Sequence, residues 1–272
     1  MQSLQENSRL GSHRDIDYFS WEDREAGDFP YYRGRNRVGV WGWILIILGV
    51  AFGLLADFTG TELVNLLPHN VVLRVLGSAV VILSVPGFPL LGVWLAAGEQ
   101  IKALFRSLTK QDWRLIGILT VLAGAWSVGM NWVIGLIGHE SVKDAAISTG
   151  SGSIAQNAWL LLELPFLIFG EALFAVLPFL ALLALFCNVF KMERKPAVIL
   201  ALVLAGLLFG LYHGEAYDWH WAQMLIVIGL GQVITLFGYL KTKNVLVAYL
   251  SHLIYDWVIV GLTVLVALAS KA

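Results

Sequence analysis

The stretch WLLLELPFLIFGEALFAVLPFLALLALF, residues 159–186, decides the fold class of this chain. It is longer than the ~20 apolar residues that carry a helix across the hydrocarbon core of a bilayer. Its ionisable side chains are Glu163, near the start, and Glu171, near the middle. A carboxylate at membrane depth is costly and is usually retained for a function. The stretch therefore predicts both a membrane-spanning helix and a candidate site.

The composition of the whole chain agrees with a membrane protein. Of its 272 residues, 58% are hydrophobic and only 14% are charged, whereas soluble domains carry far more charge. The net charge of -1 lacks the basic surplus that binds phosphate backbones, so we expect membrane lipid and no nucleic acid as a partner. The single cysteine, Cys187, excludes an internal disulfide and a metal site built from several cysteines.

Apolar runs of spanning length recur along the chain and predict an all-α, polytopic membrane helix bundle of about seven to eight transmembrane helices. The runs are Val38–Ala56, Val71–Ala97, Leu115–Ile137, Trp159–Phe186, Pro196–His213, Trp221–Leu240 and Val245–Leu268. Prolines interrupt the second run at Pro86 and Pro89 and the fourth at Pro165 and Pro178. Because proline disrupts a helix, either run can be broken, which would raise the count to eight.

Basic residues concentrate in alternate connections between these runs. They are Arg33, Arg35, Arg37, then Lys102, Arg106, Lys110, Arg114, then Lys191, Arg194, Lys195, and finally Lys241 and Lys243. Since Lys and Arg favour cytoplasmic loops, we expect an integral, multi-pass protein with a cytoplasmic N-terminus. We also expect it to lie in the plasma membrane of a prokaryote. We divide it into a polar N-terminal tail, residues 1–37, expected to be mobile, and a transmembrane helical domain, residues 38–272.

Two further runs place histidines inside or beside the apolar stretches. HLIYD, residues 252–256, puts His252 and Asp256 four positions apart, on one face of a helix. FGLYH, residues 209–213, puts His213 at the end of the fifth run, after a Gly206-x-x-x-Gly210 spacing that lets another helix approach closely. Taken singly, each has a plain structural explanation. A polar pair can join two helices, and histidine tolerates the membrane border.

The loop HGEAYDWHW, residues 213–221, raises a metal site as an alternative. It holds four possible ligands: His213, Glu215, Asp218 and His220. Zinc sites do use histidine and carboxylate, but this spacing matches no established zinc signature. A polar loop anchored by aromatic rings at the membrane surface is the better interpretation. We therefore expect no metal ion and no cofactor.

In chain order, GEALFA (residues 170–175), FGLYH and HLIYD resemble the motifs of the CPBP family. This family comprises the CAAX prenyl proteases and bacteriocin-processing proteins, which are glutamate-type intramembrane endopeptidases. Its pattern is E-E-x-x-x-R, then F-x-x-x-H, then H-x-x-x-N or D, on successive helices. The second and third elements match in full. In the first, Glu171 takes the second Glu position, Gly170 replaces the first Glu and Ala175 replaces the Arg. The resemblance covers roughly residues 98–258.

The resemblance implies an intramembrane endopeptidase that acts on a membrane-anchored or prenylated peptide or protein. Carried over residue by residue, a carboxylate beside His213 activates the attacking water, with Glu171 as the available carboxylate. His252 with Asp256 would polarise the scissile carbonyl. Two alternatives stay open. The missing Glu and Arg suit a catalytically inactive, CPBP-like membrane binding or scaffold protein, and Glu171 would also suit a proton relay in a small transporter.

Overall fold

The computed structural model describes residues 18–138 and 154–269, and no strand occurs within these ranges. The long helices are α1 (Val40–Asn65), α2 (Val71–Ala97), α3 (Lys110–Leu136), α4 (Ile154–Asn188), α5 (Arg194–Tyr212), α6 (Leu230–Thr242) and α7 (Val245–Ala269). A π-helical turn, Gln223–Gly229, leads into α6. Within the described residues, seven helical segments are long and apolar enough to span a membrane. The prediction of an all-α, multi-pass helix bundle is therefore confirmed.

The proline-containing helices α2 and α4 are continuous. Pro86 and Pro89 lie inside α2, and Pro165 and Pro178 lie inside α4. Spanning helices tolerate such prolines because neighbouring groups and local adjustments satisfy the freed backbone carbonyls. Neither helix is broken in the described part of the chain, so the span count stays at seven.

Helix α4 lies at the centre of the bundle and is the most buried of the spans. It packs against α1, α2, α5, α6 and α7. The outer faces of α1, α2 and α3 carry many exposed large apolar side chains, such as Trp41, Leu76 and Val121. Apolar surface of this extent is unusual on a soluble monomer and suits contact with lipid.

Close backbone contacts between glycines hold two helix pairs together. Gly49 of α1 faces Gly92 of α2, and a Cβ added at Gly49 would lie 3.1 Å from the Gly92 Cα. Gly206 of α5 faces Gly229 of the π-helical turn, where an added Cβ would lie 2.5 Å from the Gly229 carbonyl oxygen. Small residues permit this approach in membranes. The Gly206-x-x-x-Gly210 spacing thus serves helix packing, as the sequence predicts.

Residues 18–39 fold across one end of the bundle, where the chain carries its basic connections. Tyr31 and Tyr32 are fully buried. The Tyr31 hydroxyl donates a hydrogen bond to the Gln100 carbonyl (2.9 Å), and the Asn188 amide donates to the Tyr32 carbonyl (2.9 Å). The expectation of a mobile tail is wrong for residues 18–37, because their aromatic side chains pack into the helical core. Residues 1–17 of that tail lie outside the described residues.

A buried ion cluster fixes this N-terminal segment to the helices. The Arg194 guanidinium pairs with both Glu22 carboxylate oxygens (Nη2–Oε2 2.9 Å, Nη1–Oε1 3.2 Å) and with Asp28 (Nη2–Oδ1 2.9 Å). Lys243, 2% exposed, places its Nζ 4.0 Å from the Glu22 Oε2 and 4.8 Å from the centre of the Phe29 ring. Burial lowers the pKa of Lys243 to about 8 and raises the pKa of Glu22.

The cluster also buries the turn between α6 and α7. Lys243 and Asn244 are 2% and 1% exposed, so α7 begins inside the protein rather than at its surface. His252, two turns into α7, consequently lies deeper in the bundle than its sequence position suggests. This depth matters for the candidate site.

Candidate active site

Three helices contribute the ionisable side chains that the sequence singles out. Glu171 lies near the middle of α4, and His213 is the C-cap residue that directly follows α5. His252 and Asp256 lie one turn apart on α7. The four side chains keep 12% to 18% of their surface exposed. They are therefore largely withdrawn into the protein without being sealed in its core.

The Glu171 carboxylate lies between the two imidazoles. Its Oε1 is 3.9 Å from His213 Nε2, and its Oε2 is 3.7 Å from His252 Nε2. His252 Nε2 is also 3.3 Å from Asp256 Oδ2. Distances of 3.7–3.9 Å are longer than a direct hydrogen bond. A water molecule can link polar groups at such a separation. The structure thus brings together all four residues that the sequence predicts for the site.

The imidazole of His213 is oriented by the turn that precedes it. Its Nδ1 lies 2.9 Å from the Phe209 carbonyl oxygen. A carbonyl only accepts hydrogen bonds, so Nδ1 carries the proton in this contact. In the neutral ring the other nitrogen, Nε2, then carries the lone pair and faces Glu171. This is the arrangement that a proton acceptor beside a carboxylate needs.

The Phe209 ring packs against both histidines. Its centroid lies 4.6 Å from that of His213 and 5.9 Å from that of His252. The F-x-x-x-H spacing therefore has a physical role, because one turn of α5 supplies both the carbonyl and the ring that hold His213. His252 Nδ1 is buried and has no hydrogen-bond partner among the described residues.

At Gly170, α4 packs closely against α2. A Cβ added there would lie 2.5 Å from Val85 Cγ1 and 3.4 Å from the backbone nitrogen of Pro86. Carbon atoms in ordinary contact are about 3.5–4.0 Å apart, so a larger side chain does not fit at this position. The packing of α2 against α4 therefore favours a glycine at position 170, while the neighbouring Glu171 points at the histidines.

A third carboxylate near the site, Asp57, was missed by sequence reasoning. The Tyr212 hydroxyl, next to His213, donates a hydrogen bond to Asp57 Oδ2 of α1. The predicted first span ends at Ala56, which placed Asp57 outside the membrane helix, whereas α1 continues to Asn65. The available signal was a single carboxylate directly after an apolar run, just beyond the end of the predicted span.

The other polar candidates do not join the cluster. Glu163 makes no ion pair with a histidine among the described residues, although it lies two turns before Glu171 on α4. In the loop after α5, Glu215–Tyr217 forms a single 3-10 turn, and Asp218 adopts a left-handed conformation (φ 47°). Across residues 18–138 and 154–269, no three histidine, cysteine or acidic side chains are grouped to hold a metal ion.

No protein-family model, curated protein or solved structure matches this chain.

Proposed function

We propose that this protein is an intramembrane endopeptidase of the CPBP type that hydrolyses a peptide bond without a metal ion. The observation that carries the proposal is the Glu171 carboxylate, 3.9 Å from His213 Nε2 and 3.7 Å from His252 Nε2. Ionisable groups at membrane depth are expensive and generally mark function. A carboxylate shared between two imidazoles from other helices is also the arrangement that general acid–base chemistry needs.

In the proposed reaction, a water held between Glu171 and His213 attacks the scissile carbonyl carbon. Glu171, assisted by the lone pair of His213 Nε2, takes one proton from that water as the new C–O bond forms. The proton then passes to the leaving nitrogen as the C–N bond breaks. One peptide bond and one water become a carboxylic acid and an amine, so the step needs no redox partner. General acid–base groups of this kind contribute about 10²- to 10⁴-fold to a rate.

His252 has the complementary task of stabilising the oxyanion. Its Nε2 faces the same carboxylate as His213 does, which suits a hydrogen bond to the carbonyl oxygen as negative charge develops there. Asp256, 3.3 Å from that nitrogen, favours the form of the ring that carries a proton on Nε2. Asp256 therefore acts on the oxyanion through the imidazole.

The position of the site supports a membrane-associated class of substrate. The four residues belong to, or directly follow, helices of membrane-spanning length, so a cleavable bond must reach the site from the bilayer or its surface. A membrane-associated or prenylated peptide meets this requirement. The basic connections support a cytoplasmic location for the N-terminal segment.

The test is cleavage of membrane-anchored peptides by the full chain in proteoliposomes. A small panel of prenylated and transmembrane fluorogenic peptides serves as substrate, with products identified by mass spectrometry. We expect cleavage by the wild-type chain and its loss in His213→Ala and His252→Ala. The matched control is His69→Ala, since His69 is exposed between α1 and α2.

The outcomes separate the two classes of function. Equal cleavage by wild type, His213→Ala and His252→Ala would exclude a role for these histidines in hydrolysis. Absence of cleavage across the panel, with a correctly folded wild-type chain, would favour the non-catalytic binding or scaffold protein. This second function stays in consideration because Gly170 and Ala175 stand where the CPBP pattern has Glu and Arg.

A further inference from the structure

Asp57 is a partly buried carboxylate that the proposed reaction does not use. It lies in α1, which contributes none of the four clustered residues. Its one hydrogen bond in the described structure comes from the Tyr212 hydroxyl, and no lysine or arginine of the described residues pairs with it. Burying a carboxylate without a cationic partner is costly. Its retention beside the site therefore calls for an explanation.

Tyr212 connects Asp57 to the candidate site. Its ring packs edge-on against the His213 imidazole, with centroids 4.6 Å apart and planes at 78°. On its other sides it meets the rings of Phe58 (5.2 Å), Phe174 (5.7 Å) and Phe209 (6.0 Å). The aromatic rings restrict the tyrosine, and the hydrogen bond to Asp57 fixes its hydroxyl end.

His213 needs such support because it lies where the helix ends. Its backbone (φ -82°, ψ 13°) has already left the helical geometry of α5. The ring is oriented by the Nδ1 hydrogen bond to the Phe209 carbonyl and by the packed rings of Phe209 and Tyr212. A site that positions a proton acceptor requires the groups around it to hold the ring.

We propose that Asp57 and Tyr212 form a positioning pair, in which Asp57 anchors the Tyr212 hydroxyl and the anchored ring holds His213 with Nε2 toward Glu171. This inference rests on the proposed function for its catalytic meaning. Neither residue touches the reacting atoms. The pair acts through the ring of His213.

The first readout is independent of catalysis. Diethyl pyrocarbonate modifies unprotonated histidine nitrogens, and the rate at His213 is followed by mass spectrometry of its peptide. In Tyr212→Phe and Asp57→Ala the ring loses its anchor, so we expect His213 to react about fivefold to tenfold faster, the effect of one lost hydrogen bond. Asp57→Asn keeps an oxygen that accepts the hydrogen bond from the Tyr212 hydroxyl, so His213 in this variant should react at the wild-type rate. His69 in the same molecule is the internal reference.

The second readout uses the cleavage assay. A positioning role predicts that Tyr212→Phe and Asp57→Ala lower kcat about tenfold while KM stays within twofold, and that Asp57→Asn restores kcat. Glu62→Gln, an exposed carboxylate on the same helix, is the control for charge removal. Tyr212→Phe deletes a single oxygen and so keeps the test valid if Asp57→Ala does not fold.

The two readouts distinguish failure of this inference from failure of the proposed function. Unchanged His213 modification rates in both Tyr212→Phe and Asp57→Ala would overturn the positioning pair, as would Asp57→Asn behaving like Asp57→Ala. A wild-type chain that cleaves nothing would remove the proposed function, whereas the modification rates would still decide whether the pair orders His213.

Discussion

Substitution of Gly170 by alanine tests the packing that surrounds Glu171. An added Cβ would lie 2.5 Å from Val85 Cγ1 and 3.4 Å from the Pro86 nitrogen, about 1 Å inside ordinary carbon contact for the first of these. Valine in a helix strongly prefers one side-chain rotamer, so Val85 has little freedom to move away. Helices α2 and α4 must then separate locally, which displaces Glu171 from the histidines.

The magnitude follows from the cost of overpacking, about 1–3 kcal/mol. Alanine also gains about 1 kcal/mol over glycine in helix propensity, which would mask part of that cost in a single variant. A double-mutant cycle of Gly170→Ala with Val85→Ala removes this gain, because it occurs in both backgrounds. We therefore predict a coupling free energy of about 1–3 kcal/mol, with Val85→Ala relieving the strain.

The assay is reversible unfolding of the purified protein in detergent, with cleavage measured in parallel. Gly129→Ala is the control, since an added Cβ there meets nothing within 4 Å. Gly170→Glu, which introduces the first glutamate of the CPBP pattern, should lower rather than raise activity. A coupling free energy below about 0.5 kcal/mol, or a fully active Gly170→Glu variant, would refute the reasoning.

Three further predictions concern the ion cluster and the chemistry. Glu22→Gln removes a buried partner of Arg194 and should destabilise the protein by about 3 kcal/mol in detergent unfolding, whereas exposed Glu25→Gln should not. Burial lowers the pKa of Lys243 from 10.5 to about 8, so between pH 8 and 10 the unfolded chain binds more protons than the folded protein does. The melting temperature should therefore gain a contribution that rises from pH 8 to pH 10. This contribution should disappear in Lys243→Met. Cleavage should survive EDTA and 1,10-phenanthroline, and a loss that added zinc restores would contradict the metal-free mechanism.

The spans were predictable from sequence because long apolar runs have few other stable forms than a transmembrane helix. The two i, i+4 relations, Phe209 with His213 and His252 with Asp256, were also readable, since they depend only on helical periodicity. The GxxxG spacing predicted a close helix contact. Its partner, Gly229, lies in a π-helical turn that local patterns do not reveal.

The N-terminal segment was misjudged because its partners are distant in sequence. Its polar composition indicated a mobile tail, but Glu22 pairs with Arg194 and packs near Lys243. Asp57 was missed for a similar reason. A carboxylate after an apolar run suggests the end of a span, and its partner, the Tyr212 hydroxyl, comes from another helix that is distant in sequence.

The rate of peptide cleavage by Glu171→Gln tests the central claim most directly. This substitution keeps the shape of the side chain and removes its ability to take a proton from water. Glu163→Gln, on the same helix and outside the cluster, is the matched control. The account predicts a loss of about 100-fold or more for Glu171→Gln, with an unchanged melting temperature and with Glu163→Gln cleaving as wild type does. Equal rates for wild type and Glu171→Gln would contradict it.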